Sequence, residues 1–151
     1  MGETAMRLNE DPITFTVFTE IKSIEQLATL RIQRALPKGL QVSHFAVLNH
    51  FSHLGGEKSP AQLAKVFQVT KGAMTNTIAR LEALDCVQVR DDASDKRRKL
   101  VSLTAKGKRV REEAIADVAP VFAEVTEQFG RERLREVLPI LRDLRIYLSN
   151  G

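Results

Sequence analysis

The most strongly charged stretch of the chain is Asp95-Lys96-Arg97-Arg98-Lys99, in which four cations follow one acid. Lysine and arginine side chains bind phosphate, and arginine is attracted to the negative potential of the DNA minor groove. Asp95 is suited to orient Arg97 or Arg98 through an ion pair, rather than to act as a catalytic acid. The stretch therefore predicts a contact with nucleic acid, and an exposed charged turn is the alternative interpretation.

A second candidate surface lies on a helix predicted from Lys71 to about Leu84. Met74, Ile78 and Leu81 recur at helical spacing and are expected to face the core. The outward face then carries small or hydrogen-bonding side chains suited to base edges and phosphates. These residues are Lys71, Gly72, Thr75, Asn76 and Ala79, with Arg80 at the edge. The alternative is the solvated face of an ordinary helix pair.

The start of this helix carries little side-chain bulk. Thr70 is its predicted N-cap, and Gly72 and Ala73 lie in the first turn. The backbone amides there can approach a phosphate, which the helix dipole favours.

A shorter helix immediately upstream completes a helix-turn-helix. Ser59 is its predicted N-cap, Pro60 fits the first helical position, and Gln62 can complete a capping box. The helix is expected to end at about Phe67, and a tight turn at Gln68-Val69 joins it to the next helix. In this motif the second helix enters the DNA major groove. The residues expected to be buried are Ala61, Leu63, Ala64 and Phe67.

The charged stretch is expected to form the tip of a β-hairpin. Apolar and polar residues alternate from Cys86 to Arg90, and a return strand is predicted from Lys99 to Leu103. Such a hairpin beside a helix-turn-helix can reach over the DNA backbone. The fold class is therefore mainly α with a small β-hairpin wing, a winged helix-turn-helix.

Further helices are predicted on both sides of this region. One spans residues 13 to about 36, and another spans residues 44 to about 54 with Ser43 as its N-cap. The terminal helices carry more apolar surface than a small winged-helix core can cover. This excess predicts an interaction surface that joins two copies of the chain.

The segment after Thr104 is expected to form two helices separated by Gly130. Pro120 and Pro139 lie within them and are expected to kink or interrupt them, because proline removes an interior backbone hydrogen bond.

The positive charge is concentrated in the middle of the chain. Residues 58–111 carry 13 basic and 5 acidic groups, a net charge of +8, whereas residues 1–57 and 112–151 carry net charges of −1 and −3. A basic centre between mildly acidic ends is typical of a phosphate-binding face. A solubilising surface is the alternative.

The composition and motifs argue against several other classes. No apolar run approaches the roughly 20 residues of a membrane span, and the polar first residues do not resemble a secretory signal. A single cysteine, Cys86, fits a reducing compartment, so a cytoplasmic protein is expected. We find no phosphate-binding glycine loop and no nucleophile–base pair. We therefore expect neither an enzyme nor a cofactor.

The histidines and the cysteine are interpreted as ordinary residues. His44, His50 and His53 lie in one helix, but a metal site would need a third ligand beside His50 and His53, so no metal is expected. Cys86 is predicted to be a buried small residue, with a redox-sensing thiol as the alternative.

Three stretches together resemble the MarR family of transcriptional regulators. They are Ser59-Pro60-Ala61-Gln62-Leu63-Ala64, Ala79-Arg80-Leu81-Glu82 and the segment from Asp95 to Gly107. The last is similar to the family's wing signature, an acid-basic-Arg tip that leads into a Leu-Thr-x-x-Gly helix start. The resemblance covers nearly the whole chain. One departure is Asp85, where family members commonly have glycine; aspartate tolerates the left-handed backbone better than most residues.

The resemblance implies a dimer held by the terminal helices, a recognition helix at Lys71–Leu84 and a wing at Arg90–Leu100. It also implies a small-molecule effector that binds between the dimer helices and the DNA-binding lobe. By position, Arg97 is the wing-tip arginine, and the residues that face the groove are Thr70, Lys71, Gly72, Ala73, Thr75 and Asn76.

We therefore expect a homodimeric regulator, a ligand-responsive repressor that binds double-stranded DNA at a palindromic operator. The expected domains are an N-terminal dimerisation helix (1–40), a winged helix-turn-helix (41–104) and C-terminal dimerisation helices (105–151). A helical dimeric protein-interaction module without DNA binding is the alternative, and an RNA-binding winged helix is disfavoured by the lack of stacking aromatics. The candidate DNA-binding residues are Ser59, Thr70, Lys71, Gly72, Ala73, Thr75, Asn76, Arg80, Asp95, Lys96, Arg97, Arg98 and Lys99.

Overall fold

The computed structural model of the chain describes residues 12–150, and its helices and hairpin follow the predicted order, with one additional short strand. The chain divides into two units at the junction between Arg34 and Ala35. The elements are α1 (Ile13–Ala35), α2 (Val42–Leu54), β1 (Glu57–Lys58), α3 (Pro60–Phe67), α4 (Lys71–Ala83), β2 (Val87–Asp91), β3 (Lys99–Leu103), α5 (Ala105–Phe129) and α6 (Arg131–Ser149).

Helix α1 makes up nearly all of the described part of the first unit. None of its residues is buried. Its exposed side chains include large apolar residues that recur along its length, namely Ile13, Phe15, Val17, Phe18, Ile24, Leu27 and Leu30. An apolar surface of this kind is typical of a helix that packs against a partner.

The core of the second unit forms where α2 packs against α4, α5 and β3. Leu48 and Phe51 of α2, Leu63 of α3, Leu81 of α4 and Val101 of β3 are almost completely buried. Truncating a buried leucine or phenylalanine to alanine typically costs about 2–5 kcal/mol. The core therefore fixes the helix-turn-helix and the sheet against one another.

Helix α2 begins two residues earlier than predicted, and Ser43 is not its N-cap. The N-cap is Gln41, and it forms a capping box with His44. The Nδ1 atom of buried His44 accepts a hydrogen bond from the Gln41 backbone N–H at 2.9 Å. Burial lowers the pKa of His44, and the nearby Arg80 guanidinium lowers it further.

The helix-turn-helix begins as the sequence predicted. Ser59 and Thr70 are the N-caps of α3 and α4, and the Ser59–Gln62 capping box is present. Helix α3 ends at Phe67, where Gln68 adopts the left-handed conformation with φ of 52°. The predicted burial of Ala61 is wrong, because Ala61 is exposed in the first turn of α3.

The sheet has three strands rather than the two of the predicted hairpin. The order is β1-β3-β2, and both pairings are antiparallel. In the hairpin, Val87 is opposite Leu103 and Asp91 is opposite Lys99. The additional strand β1 pairs Glu57 with Ser102.

The wing joins α5 through close backbone contacts. Thr104 caps α5 by accepting a hydrogen bond from the Gly107 backbone N–H at 2.9 Å, and its hydroxyl donates to the Asp85 carbonyl at 2.6 Å. Asp85 adopts φ of 56°, as its position after α4 predicted. A β-carbon added to Gly107 would lie 2.0 Å from the Cys86 carbonyl oxygen, so only glycine fits there.

Neither Pro120 nor Pro139 interrupts its helix, so of the two predicted alternatives, a kink or an interruption, the interruption is wrong. Both prolines are exposed, so the carbonyl groups that lose an intrahelical donor can bind water. The helices instead separate at Gly130, as predicted, where φ is 100°. In the described part of the chain, no helix is long and apolar enough to cross a membrane.

The first prediction concerns Gly107. Gly107→Ala should lower the free energy of unfolding by about 1–3 kcal/mol, because the added methyl group overpacks the Cys86 carbonyl. Gly72→Ala is the matched control, because Gly72 lies in a helix without positive φ and has open space around it. Alanine there should raise the free energy of unfolding by about 0.5–1 kcal/mol. Chemical denaturation of the two variants checks this, and equal stabilities would contradict it.

The second prediction concerns the pH dependence of stability. Folding lowers the pKa of His44, so this residue contributes to the free energy of unfolding only while its ring is neutral. The contribution is fully present above the pKa of the unfolded chain, about 6.5, and is lost as the pH falls through the lower pKa of the folded chain. His44→Gln supplies an acceptor that does not titrate and should reduce the slope of the stability profile below pH of about 6.5, while the part due to His50, whose pKa burial also lowers, remains. His53→Gln makes the same substitution at an exposed histidine of the same helix and is the matched control. Unfolding measured across this pH range compares the variants.

Candidate nucleic-acid interface

Some of the predicted site residues line a cleft of about 560 Å³ in the second unit. The cleft lies between the first turns of α3 and α4 and the tip of the hairpin. We call it the basic cleft, and its lining residues are Ser59, Pro60, Ala61, Gln62, Lys71, Thr75, Asp95, Arg97, Arg98 and Lys99. Seven of them were predicted from the sequence.

Capping hydrogen bonds fix the two helix starts at this cleft. The Ser59 hydroxyl accepts from the Gln62 backbone N–H at 3.2 Å, and the Gln62 side chain accepts from the Ser59 backbone N–H at 2.8 Å. Thr70 accepts from the Ala73 backbone N–H at 3.1 Å. Buried Ser59 thus positions α3, and the partial positive charge of both helix starts is directed to the cleft region.

The outward face of α4 is open to solvent as predicted. Met74, Ile78 and Leu81 are buried and hold the helix against the core. The exposed residues of its first two turns are Lys71, Gly72, Ala73, Thr75 and Asn76. The Thr75 hydroxyl donates to the Lys71 carbonyl at 2.8 Å, which orients its side chain along the helix.

The tip of the hairpin is built by two aspartates that accept backbone hydrogen bonds. Asp92 accepts from the Ser94 backbone N–H at 3.0 Å and from the Ser94 hydroxyl at 2.7 Å. Asp95 accepts from the Arg97 backbone N–H at 3.0 Å. The predicted ion pair between Asp95 and Arg97 or Arg98 is wrong: among the described residues Asp95 forms no ion pair, and its Oδ1 atom binds the Arg97 backbone N–H instead. The ion pair of Arg98 is with Asp92, at 3.9 Å.

The electrostatics of the tip favour a fixed turn with cations directed outward. The Ser94 hydrogen bonds are the main cause that lowers the pKa of Asp92, and the charges of Arg98 and Arg90 contribute. Lys99 is paired with Asp91 at the base of the tip. Within the described residues, no ion pair engages the exposed side chains of Lys96 and Arg97.

Several predicted residues do not line the cleft. Thr70, Gly72, Ala73, Asn76 and Lys96 flank it in sequence and are exposed. Arg80 also does not line the cleft, because its guanidinium lies beside Gly39: a β-carbon added to Gly39 would be 2.9 Å from Arg80 Nη2. The charge of this guanidinium also lowers the pKa of His44.

Sequence reasoning missed two features of the site. Pro60, Ala61 and Gln62 line the cleft, and their position next to Ser59 was the available signal. The ion pair between Glu57 and Arg90 was also missed. It joins residues 33 positions apart, and no local pattern marks such a pair.

The remaining candidate ligands are engaged in the fold. The Nε2 atom of His50 is buried without a hydrogen-bond partner in the described residues, and its ring contacts Phe51 and Phe67 edge-on. The prediction that Cys86 is buried is confirmed, and burial raises the pKa of its thiol. In residues 12–150, no group of three potential ligands could hold a metal ion.

Comparison with known proteins confirms the resemblance seen in the sequence. Residues 38–98 match the model of the MarR family. The chain is similar to a mutant MarR from E. coli in complex with operator DNA, with 24% identity, 91% of this chain and 96% of that chain covered, and a TM-score of 0.76. The same figures describe its similarity to the transcriptional regulator BldR from Sulfolobus solfataricus.

A further similar structure is that of BpsR from Bordetella bronchiseptica, a protein whose DNA binding is regulated by 6-hydroxynicotinic acid. It is 21% identical, with 86% of this chain and 98% of that chain covered, and the TM-score is 0.75. These likenesses confirm the predicted fold class.

Proposed function

We propose that the protein is a transcriptional regulator of the MarR family that binds double-stranded DNA, because residues 38–98 match the model of that family. Helix α4 enters the major groove, and the hairpin wing contacts the backbone and the minor groove. The observation that carries this proposal is the basic cleft, which brings two helix N-termini and four cationic side chains to one surface.

The arrangement of the cleft suits phosphate on one side and bases on the other. Lys71, Arg97, Arg98 and Lys99 supply charge, and the capped starts of α3 and α4 supply backbone donors. Asn76 lies one turn further along α4 with its side chain exposed, where an amide can form two hydrogen bonds with adenine. Arg97 thus contributes affinity, and Asn76 contributes sequence preference.

We further propose that the protein acts as a homodimer on a palindromic operator. Helix α6 has no buried residue, and its exposed apolar side chains include Val137, Leu138 and Leu141. Twofold pairing of such surfaces would set two recognition helices about 34 Å apart, which is one turn of DNA. The proposed domains are those expected from the sequence: 1–40 and 105–151 for dimerisation, and 41–104 for DNA binding.

We propose that the protein is a repressor whose DNA binding responds to a small molecule. The similarity to BpsR, whose DNA binding 6-hydroxynicotinic acid regulates, supports such an effector for this chain. An effector acts by favouring a spacing of the recognition helices that no longer matches the groove. A DNA target and a lone cysteine fit a protein that works in the cytoplasm.

The third prediction tests the wing. Arg97→Ala should weaken binding to every duplex sequence and reduce the slope of log affinity against log salt by about 1, because one phosphate contact is lost. Arg142→Ala removes the same charge from exposed α6 and should leave the slope unchanged. Fluorescence anisotropy with mixed-sequence duplex across a salt series measures both. Salt-independent binding, or none at low salt, would instead favour a protein-interaction module.

The fourth prediction tests base recognition. Asn76→Ala should change which bases are preferred, at a cost of about 1–3 kcal/mol for the favoured base pair, while the salt slope stays the same. Selection of bound fragments from genomic DNA by the parent chain and the variant measures the preference. An identical preferred sequence would show that Asn76 does not contact a base.

The fifth prediction tests the dimer. Leu141→Glu should convert a particle of twice 16.9 kDa into a monomer, because it places a charge on the proposed apolar interface. Gln128→Glu adds the same charge at an exposed polar position of α5 and should leave the dimer intact. Light scattering gives the mass of each. A parent chain that is monomeric at all concentrations would refute the pairing.

A further inference from the structure

We infer that Glu57 is a positioning residue for the wing, and that it acts through Arg90 to hold the hairpin in register with the start of the helix-turn-helix. The inference rests on the proposed function, in which the wing contacts DNA. It adds a residue that does not line the basic cleft and whose ion pair, among the described residues, is with Arg90 rather than with a lining cation.

The two side chains meet in a bidentate ion pair. Arg90 Nε donates to Glu57 Oε1 at 2.6 Å, and Arg90 Nη2 donates to Glu57 Oε2 at 2.5 Å. The third guanidinium nitrogen, Nη1, donates to the Asp91 carbonyl at 3.1 Å. Each guanidinium nitrogen therefore has a protein acceptor, which fixes the plane of the group.

The ion pair spans the sheet. Glu57 is opposite Ser102 and Arg90 is opposite Leu100, so the pair connects the two outer strands across β3. Strand β1 has only two residues, and Gly55 and Gly56 precede it with positive φ values of 61° and 70°. So short a strand has few backbone hydrogen bonds to its neighbour, and the bidentate contact adds a second connection, to the far strand β2.

The two ends of the ion pair are adjacent to opposite walls of the basic cleft. Glu57 is separated by one residue from Ser59, which caps α3. Arg90 precedes Asp91, whose carboxylate is paired with Lys99 at the base of the tip. Loss of the ion pair would therefore let the wing move relative to the helix starts while each wall remains folded.

Two other roles predict the opposite effect on DNA binding. An exposed ion pair without a positioning role contributes little, and removal of its carboxylate would then strengthen binding, because one negative charge near DNA is lost. If Arg90 itself contacted phosphate, neutralising Glu57 would release it and again strengthen binding. Only a positioning role predicts weaker binding from a variant that is less negatively charged.

The experiment measures the affinity of Glu57→Gln for a mixed-sequence duplex about three helical turns long, at low salt. We expect binding about threefold weaker than that of the parent chain, within the range that one well-formed ion pair supplies. Glu82→Gln removes an equal charge from the exposed surface of α4 and should bind equally or more tightly. Binding by Glu57→Gln that is equal to or tighter than that of the parent chain overturns the inference.

A charge-reversed pair separates positioning from a loss of folding. The double variant with Glu57→Arg and Arg90→Glu keeps the net charge and can form the same ion pair with reversed polarity, so it should restore affinity. A double variant that melts at the parent temperature but binds as weakly as Glu57→Gln overturns the inference. A parent chain that binds no duplex at all overturns the proposed function and the inference together.

Discussion

The relative placement of α4, the hairpin and α5 depends on one close backbone approach, that of Gly107 to the carbonyl group of Cys86. That carbonyl accepts the Thr104 backbone N–H at 3.1 Å, and the Thr104 hydroxyl donates to the carbonyl of left-handed Asp85. The end of α4, both strands of the wing and the start of α5 therefore meet within a few ångströms. Their relative orientation follows from main-chain geometry, which tolerates less variation than long side chains do. The Leu-Thr-x-x-Gly pattern is the sequence trace of this junction.

Two aspartates at the tip of the wing, Asp92 and Asp95, accept hydrogen bonds from backbone donors, and no ion pair among the described residues engages Lys96 or Arg97. Asp92 and Asp95 each accept from a backbone N–H two residues ahead, and Asp92 also accepts the Ser94 hydroxyl. These bonds satisfy the turn without fully neutralising the lysines and arginines beside it. The N-caps of α3 and α4 are likewise uncharged hydroxyl groups rather than carboxylates. The partial positive charges at the two helix N-termini are therefore not cancelled.

The sequence predicts the features that arise from local pattern. Met74, Ile78 and Leu81 repeat at helical spacing, and Ser59 and Thr70 cap the helices they precede, so the surface of α4 could be derived from neighbours in the chain. The features that the sequence did not predict depend on pairing between residues far apart along the chain. Strand β1 is too short to show a period of two, and its partner Ser102 is 45 residues away. The capping role of His44 was hidden because histidine replaces the usual Glu or Gln of the box.

The exposed apolar face of the C-terminal helix α6 connects the stability of this protein to its association. Helix α6 has 19 residues, none of them buried, although leucine, isoleucine and valine recur along it. An isolated helix of this length is marginal in water, and most helical stability comes from packing an apolar face. If a second copy covers that face, as we propose, the folding of α6 is coupled to association. The population of intact DNA-reading dimers then depends on protein concentration as well as on the core around Leu48 and Phe51.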